Sequence, residues 1–166
     1  MRLFKLFAVS VAIMLHISPT ALAIERDQKA PEFTVPGRSN DVSLSAYRGQ
    51  IVYLDFWASW CGPCKKSFPW MNALQEKFGA KGLKIIAINL DSKTEDGTLF
   101  LTKVPAIFLI GFDKQGTVAK QYQVQAMPSS VLIDRDGKIL EVHKGFNDTI
   151  AKKIEGEIEA LLKKTP

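Results

Sequence analysis

Two stretches of the chain are almost continuously apolar and predict buried strands. The first covers residues 51–57, with the sequence Ile-Val-Tyr-Leu-Asp-Phe-Trp, and the second covers residues 83–90. Runs of this length that are rich in β-branched and aromatic residues are typical of strands covered on both faces of a sheet. Asp55 is the one acidic residue in the first run. We expect burial to raise the pKa of its carboxyl group by desolvation.

Two other stretches repeat apolar residues every three or four positions, which is the spacing of an amphipathic helix. The first helix is predicted to begin at residues 61–64 and to end near Phe78, with Gly79 suited to its C-terminal cap. The second is predicted from Asn147, a suitable N-cap, to Lys164. Its buried stripe consists of Ile150, Ile154, Ile158, Leu161 and Leu162.

The remaining elements are shorter. Residues 33–35 form a candidate strand, residues 91–103 are polar and then weakly helical, and residues 117–122 suit a short helix. Ser130–Ile133 and Lys138–His143 predict a hairpin, because the Asp-Gly pair between them favours a tight turn. Together these elements predict a single α/β domain with a mixed sheet and helices on both faces.

Composition supports a globular protein. The chain has 166 residues, of which 46% are hydrophobic and 23% are charged. These values argue against intrinsic disorder, a collagen-like chain and a repeat array. The two cysteines, Cys61 and Cys64, are too few for a disulfide framework and too close together to close a long loop.

The first 23 residues have the pattern of a secretory signal peptide. A basic start is followed by an apolar run over residues 6–17, and residues 21–23 (Ala-Leu-Ala) supply the small side chains of a cleavage site. We predict cleavage after Ala23, export to the periplasm and a mature domain over residues 24–166. The alternative is a retained membrane anchor, which needs about 20 apolar residues. No cysteine follows the apolar run, which excludes lipoprotein processing.

Removal of that segment leaves a weak positive charge. The full chain has 22 basic and 17 acidic residues and a net charge of +5. Arg2 and Lys5 leave with the signal peptide and no acid does, so 20 basic and 17 acidic residues remain, a net charge of +3. Nucleic-acid binding needs a concentrated basic stripe. We therefore expect no nucleic-acid partner.

The candidate chemistry lies in the string Trp60-Cys61-Gly62-Pro63-Cys64, at the junction of the first predicted strand and helix. A thiol at a helix N-terminus faces unpaired N–H groups and the positive end of the helix dipole. We expect these to lower the pKa of Cys61, as is common in Cys-x-x-Cys motifs. Cys64, one turn further along, should be more buried and keep its proton.

This difference predicts a role for each cysteine. Cys61 is the expected nucleophile that attacks a substrate disulfide, and Cys64 is the expected resolving thiol that releases the reduced product. Gly62 and Pro63 allow the short loop to close without strain. In an oxidising compartment the pair becomes a disulfide unless electrons are supplied.

The cysteine pair has three alternatives to redox chemistry. A structural disulfide is possible, but so small a loop removes little entropy from the unfolded chain. A zinc site needs about four ligands, whereas the mature chain offers two cysteines and His143. Inert buried cysteines would not be flanked by tryptophan, glycine and proline at a strand–helix junction. Redox chemistry is the interpretation we favour, with no metal.

The segment over residues 55–65 (Asp-Phe-Trp-Ala-Ser-Trp-Cys-Gly-Pro-Cys-Lys) resembles the active-site segment of thioredoxin, and Pro69 falls where thioredoxins have a helix-kinking proline. Residues 30–33 (Ala-Pro-Glu-Phe), the stretch from Leu90 to Val124 and the Met127-Pro128 pair are similar to the TlpA/ResA branch, which includes the DsbE/CcmG proteins of cytochrome c maturation. This resemblance spans residues 30–162. It implies a thioredoxin-like fold and an exported thiol-disulfide oxidoreductase.

The resemblance also implies site residues outside the cysteine motif. It implies a cis peptide bond before Pro128, in a loop that presents the backbone of Met127 to an extended substrate. The residues alone would favour an ordinary trans bond. We expect Trp60 to shape the surface around Cys61, and Trp57 to lie either at that surface or in the core. Asp55 matches the buried aspartate of thioredoxin, a proton acceptor for the second cysteine.

Other polar residues receive weaker assignments. The alternative for Asp55 is a carboxylate that the backbone satisfies at the sheet edge. The lysine that partners this aspartate in thioredoxin is replaced by Ala87. Members of this branch often have an acid near the active site, but for Asp91, Glu95 and Asp96 a solvated loop is the better interpretation. His143 is expected at the surface.

The resulting expectation is a monomeric reductase of protein disulfides that needs no cofactor beyond its own disulfide. The resemblance implies exported substrates such as apocytochrome c and a membrane electron donor of the DsbD/CcdA type. Two rivals remain. A thiol peroxidase would need a threonine upstream of the peroxidatic cysteine, where this chain has Trp57 and Ala58. A copper metallochaperone could use the cysteine pair as soft ligands.

Overall fold

The computed structural model of the protein describes residues 26–164. The signal peptide predicted over residues 1–23 lies outside this part of the chain. Within residues 26–164 no helix combines the length and apolar character that crossing a membrane requires.

The described chain alternates strands and helices. The strands are β1 (Thr34–Val35), β2 (Val42–Ser43), β3 (Ile51–Trp57), β4 (Leu83–Asn89), β5 (Leu109–Phe112), β6 (Ser129–Ile133) and β7 (Ile139–Lys144). The helices are α1 (Gly62–Phe78), α2 (Thr94–Lys103), α3 (Thr117–Gln121) and α4 (Asp148–Lys163), with short 3-10 turns at Leu44–Tyr47 and Gly79–Lys81.

Five of the strands form the central sheet, in the order β5-β4-β3-β6-β7. The strands β3, β4 and β5 run parallel, whereas β6 is antiparallel to both of its neighbours. All seven residues of β3 are buried, because this strand lies at the centre of the sheet and is covered on both faces. The predicted mixed sheet is confirmed.

Alternate residues of β3 point into two separate cores, so helices cover both faces as predicted. One core holds Tyr53 and Trp57 with the apolar faces of α1, α2 and α4. The other holds Leu54 and Phe56 with α3 and the N-terminal segment that carries β1 and β2. The first core, which we call the α1 core, contains both cysteines.

The strand β5 was not predicted. It follows a mostly apolar stretch that contains Pro105, and Gly111 is a poor strand former. The structure shows why glycine is needed there: a Cβ at Gly111 would lie 2.6 Å from the Cγ2 atom of Val35 and 2.9 Å from the Cδ1 atom of Ile88. The close approach of the N-terminal segment therefore requires a residue that strand propensity disfavours.

Both predicted caps, Asn147 for α4 and Gly79 for α1, are confirmed. The Asn147 side chain accepts a hydrogen bond from the Ile150 N–H at 2.9 Å, which makes it the N-cap of α4. Gly79 is the C-cap of α1, and its N–H donates to the Gln75 carbonyl; its backbone is right-handed, and the chain continues into a 3-10 turn. The glycine with a left-handed conformation is Gly82, with φ of 101°. It ends the turn three residues later than the predicted cap.

Candidate active site

The two cysteines form a disulfide at the start of α1. β3 ends at Trp57, a short loop follows, and Cys61 is the N-cap of the helix, with Pro63 in the first turn. The Cα atoms of the pair are 5.3 Å apart. Proline suits this position, because the first N–H groups of a helix have no partner within it. The strand–helix junction predicted from the sequence is therefore where the pair is held.

The two cysteines differ in their exposure to solvent. Cys61 is 5% exposed, and Cys64 is fully buried in the α1 core. The Cys64 N–H donates a hydrogen bond of 3.2 Å to the Cys61 Sγ atom. An incoming sulfur can therefore reach Cys61, while Cys64 is reached from Cys61 alone. The predicted difference in burial is confirmed.

The surface around Cys61 is open. Trp60 is 73% exposed, the largest exposure among the big apolar side chains of the described residues. Gly62 and Pro63 are also exposed. A Cβ at Gly62 would meet nothing within 4 Å, so packing does not require glycine there. The surface next to Cys61 is therefore open at this position.

The Met127–Pro128 loop lies at the same end of the sheet. The peptide bond between them is cis, as the resemblance implies. Ser129 pairs with Phe56 near the end of β3, which places the preceding proline beside the strand that leads to the cysteines. Met127 packs against the α1 core, and the Pro128 carbonyl accepts a hydrogen bond of 2.8 Å from the Gly145 N–H.

Asp55 is buried in the middle of the sheet, on the face covered by α1. It lies between Ala87 on β4 and Ser130 on β6, and its Oδ2 atom has no hydrogen-bond partner. The alternative of a carboxylate satisfied at the sheet edge is therefore wrong. Burial raises the pKa of Asp55 well above its ordinary value, because the interior disfavours the charged form.

The raised pKa of Asp55 predicts a stability that depends on pH. The unfolded chain loses this proton at a lower pH than the folded protein, so stability is full below the unfolded pKa and falls as pH rises toward the folded pKa. Asp55→Asn should raise the free energy of unfolding near pH 7 by about 1–3 kcal/mol, the scale for an unsatisfied buried polar group. The gain should vanish below about pH 4.

Urea unfolding of the oxidised proteins at both pH values measures this difference. Asp96→Asn is the matched control, because Asp96 is an exposed acid in the first turn of α2. An equal gain for Asp55→Asn at both pH values would show that the difference in the pKa of Asp55 between the folded and unfolded chain is not the cause of the gain.

Asp91 was expected in a solvated loop and is instead buried beside the cysteine loop. It accepts hydrogen bonds from the Ser59 N–H at 2.9 Å and the Ser59 hydroxyl at 3.0 Å. The side-chain amide of Asn89 donates to it at 2.7 Å. Parallel strands end at the same edge, and Trp57 on β3 pairs with Asn89 on β4. The residues after the two strands therefore meet, and Asp91 holds the loop two residues before Cys61.

Of the other polar residues, Glu95 and Asp96 are exposed as predicted, and His143 is not. Glu95 and Asp96 are exposed as expected, but in the first turn of α2, where negative charge suits the helix dipole. His143 was expected at the surface and is buried, with its Nε2 atom 2.8 Å from the Oε2 atom of Glu157. The sequence pattern missed this pair because its residues come from separate elements, β7 and α4. Trp57 is a core residue, fully buried.

Comparisons with known proteins agree on one chemistry. The sequence model of the Redoxin family matches residues 25–161. The chain is 34% identical over 142 residues to the thiol-disulfide oxidoreductase ResA of Bacillus thuringiensis subsp. konkukian, which covers 85% of this chain and 79% of that protein. It is 30% identical over 161 residues to ResA of Geobacillus kaustophilus, covering 96% and 91% of the two chains.

Solved structures give the same result. A crystal structure from Chlorobium tepidum that carries the name thiol:disulfide interchange protein DsbE has a TM-score of 0.83 and 49% identity, covering 84% of this chain and 99% of that one. A thiol-disulfide oxidoreductase from Bacteroides fragilis has a TM-score of 0.69 and 26% identity, covering 78% and 99%. The thioredoxin-like fold expected from the sequence is confirmed.

Proposed function

The chain belongs to the Redoxin family and is a thiol-disulfide oxidoreductase similar to ResA, and from this premise we propose that it reduces protein disulfides outside the cytosol. Cys61 is the nucleophile and Cys64 the resolving thiol. The observation that carries the proposal is the asymmetry of the pair: one sulfur at a helix N-terminus within reach of a partner, the other fully buried behind it.

The reaction exchanges one disulfide for another. The Cys61 thiolate attacks one sulfur of the substrate disulfide, and the other substrate sulfur leaves as a thiolate. Cys64 then attacks Cys61, the bond between Cys61 and the substrate breaks, and the substrate leaves with both sulfurs reduced. Asp55 accepts the proton of Cys64. The enzyme has given up two electrons and now holds the Cys61–Cys64 disulfide.

The helix start favours the attacking thiolate. Negative charge on the Cys61 Sγ atom would be stabilised by the Cys64 N–H that already points at it, 3.2 Å away, and by the positive end of the α1 dipole. Ser59, held by the buried Asp91 carboxylate, keeps the preceding loop in place. These contacts support Cys61 rather than Cys64 as the residue that meets the substrate.

The surface around the pair suits a protein substrate. Trp60 presents a large exposed apolar face, and a groove of about 280 Å³ beside it is lined by Ser59, Lys65, Leu99 and Lys103, among others. On the other side, the Met127 backbone before the cis bond can form strand-like hydrogen bonds with an extended segment. We propose that Trp60, Gly62, Pro63, Met127 and Pro128 form the substrate-binding surface.

The proposed substrates are exported proteins with disulfides, such as apocytochrome c, and the proposed electron donor is a membrane protein of the DsbD/CcdA type. The Gly-Pro dipeptide between the cysteines, which resembles the low-potential loop of thioredoxin, favours a reductase over a strong oxidant. The signal peptide predicted over residues 1–23 supports a location in the periplasm. There the disulfide must be reduced again after each turnover, which is why a donor is required.

Reduction of insulin disulfides with dithiothreitol as the electron source tests the proposal. We expect the purified protein to accelerate insulin precipitation, and Cys61→Ser, the matched control, to abolish the acceleration. Copper(I) titration and a peroxide-consumption assay with the same samples address the two rivals. If the wild-type protein binds copper tightly or consumes peroxide and does not reduce insulin, the proposed reductase function is wrong.

A further inference from the structure

Three buried polar residues lie in a row across the sheet, starting at Asp55. In the register of the strands, Asp55 on β3 is opposite Ser130 on β6, and Ser130 is opposite His143 on β7. Residues directly opposite in antiparallel strands share a face and have Cβ atoms about 4.5–5.5 Å apart. All three are buried, and all face the side of the sheet that α1 and α4 cover.

The row continues to the protein surface through α4. The Nε2 atom of His143 is 2.8 Å from the Oε2 atom of Glu157, whose side chain is 23% exposed. Glu157 also pairs with Lys153 at 3.5 Å, and Lys153 is well exposed. Polar side chains therefore follow one another from the centre of the sheet to solvent at α4, and the hydrogen bond between His143 and Glu157 forms the outer end of the row.

Asp55 has no comparable neighbour in the opposite direction. On β4 it is opposite Ala87, and the core on this face of the sheet, which contains Cys64, is otherwise apolar. The other titratable group near the row is Tyr53, whose hydroxyl interacts with Ser130; burial raises its pKa well above the ordinary value. Tyr53 therefore stays neutral, and the polar surroundings of Asp55 extend toward β7.

The two atoms of the row that lack a hydrogen bond can act as a proton donor and a proton acceptor. Neither the Oδ2 atom of Asp55 nor the Nδ1 atom of His143 has a hydrogen-bond partner, and Ser130 lies between the two residues in the strand register. The Ser130 hydroxyl interacts with Tyr53 in this conformation, so it has to rotate about χ1 to reach either atom. When the His143 Nε2–H donates to the Glu157 carboxylate, Nδ1 is left with a free lone pair. A protonated carboxyl group donates, an imidazole lone pair accepts, and a hydroxyl does both.

We propose that Ser130, His143 and Glu157 form a proton exit that connects Asp55 with solvent at α4. The inference rests on the proposed function, in which Asp55 takes the proton of Cys64. That proton passes to the Ser130 hydroxyl, the hydroxyl proton passes to Nδ1 of His143, and Nε2 releases its proton to Glu157 and then to water. A different proton moves at each step, the net result is that one proton passes from Asp55 to solvent, and no electron is transferred.

The same path resets the site. After the transfer, His143 carries its proton on Nδ1 instead of Nε2. Reduction of the Cys61–Cys64 disulfide by the electron donor requires a proton to return to Cys64. When that proton enters at Glu157 and each transfer runs backward, Asp55 gives it to Cys64 and His143 regains its starting tautomer. The row thus performs the function that the lysine replaced by Ala87 would otherwise support.

Stopped-flow reaction of the reduced protein with Ellman's reagent separates the two steps, because each releases one coloured thiolate. The first release reports attack by Cys61, and the second reports resolution by Cys64. We expect His143→Gln and Glu157→Gln to slow the second release on the order of tenfold, less than the roughly hundredfold or more contributed by a group that removes the proton directly. The first release should be unchanged.

A solvent isotope effect distinguishes proton transfer from a structural role. When proton exit limits the second release, its rate in H₂O relative to D₂O should be larger in both variants than in the wild type. Glu155→Gln is the matched control, because Glu155 is also on α4 and pairs with Lys77 at 2.7 Å, away from the row. It should behave as the wild type does.

Each other outcome overturns a stated part of the scheme. If the second release is slower in the His143→Gln and Glu157→Gln variants but the isotope effect equals that of the wild type, the two residues only support the structure. If Glu157→Gln leaves the rate of the second release unchanged, Glu157 is not part of the proton exit. An Asp55→Asn variant tests the premise separately. If it resolves as fast as the wild type, the role of Asp55 fails. If it is slow while the His143 and Glu157 variants are not, the exit alone fails.

Discussion

Cys64→Ala should convert the protein into a trap for its own substrates. Without the resolving sulfur, Cys61 still attacks a substrate disulfide, but the mixed disulfide has no internal thiol to break it. Because Cys64 is fully buried and Cys61 is the more accessible sulfur, we expect substrates to stay bound through Cys61 alone. Non-reducing electrophoresis of periplasmic extracts, followed by mass spectrometry of the captured partners, measures this directly.

The matched control for the trap is the Cys61→Ala, Cys64→Ala double variant, which retains the surface around Trp60 but has no sulfur. Because it cannot form a mixed disulfide, no partner protein should remain bound to it after treatment with detergent and an alkylating agent. Exported proteins with cysteine pairs among the captured partners would support the proposed substrate class. A Cys64→Ala protein that captures no more than the double variant would contradict an exchange reaction in which Cys61 attacks first.

Phe68→Ala should remove a large part of the stability of the fold. The ring is fully buried in α1, four residues after Cys64. It lies between three other aromatic rings, with centroid distances of 4.8 Å to Trp57, 5.1 Å to Phe100 and 5.3 Å to Phe108. Truncation of such a residue costs about 3–5 kcal/mol, whereas the whole fold of a typical domain is stable by about 5–15 kcal/mol.

Urea unfolding of the oxidised protein, followed by circular dichroism, measures the loss. Leu99→Ala is the control, because Leu99 is 57% exposed on α2 and surface truncations usually stay within about 0.5 kcal/mol. A loss below about 1.5 kcal/mol for Phe68→Ala would mean that neighbouring rings close the cavity. The aromatic cluster would then not be what attaches α1 and α2 to the end of β3.

The sequence pattern predicted an element correctly where the forces that form it act within one short segment. Residues 51–57 were predicted as a covered strand, and the structure has β3 at Ile51–Trp57. The N-cap at Asn147 was also predicted correctly. In both cases the deciding forces, burial of a continuous apolar run and satisfaction of the first N–H groups of a helix, act within a few residues.

The errors involve residues whose surroundings come from distant parts of the chain. Asp91 looked like a loop acid, but the parallel pairing of β3 and β4 places it against Ser59. His143 looked exposed on a hairpin, but α4 covers it and supplies Glu157. The strand β5 received no prediction, and the glycine within it, Gly111, is required by the close approach of Val35 from a distant segment. None of these neighbours is within 10 residues in sequence.

The sequence by itself determined the chemistry of this protein, because a thiol pair at a strand–helix junction is a local motif whose sulfurs, helix start and connecting loop lie within a few consecutive residues. Only the tertiary structure decided the environment of that chemistry: the carboxylate that holds the loop before Cys61, and the polar row that leads from Asp55 to Glu157. Hydrogen bonds and burial depend on distance in space, and strand register sets that distance between residues far apart along the chain.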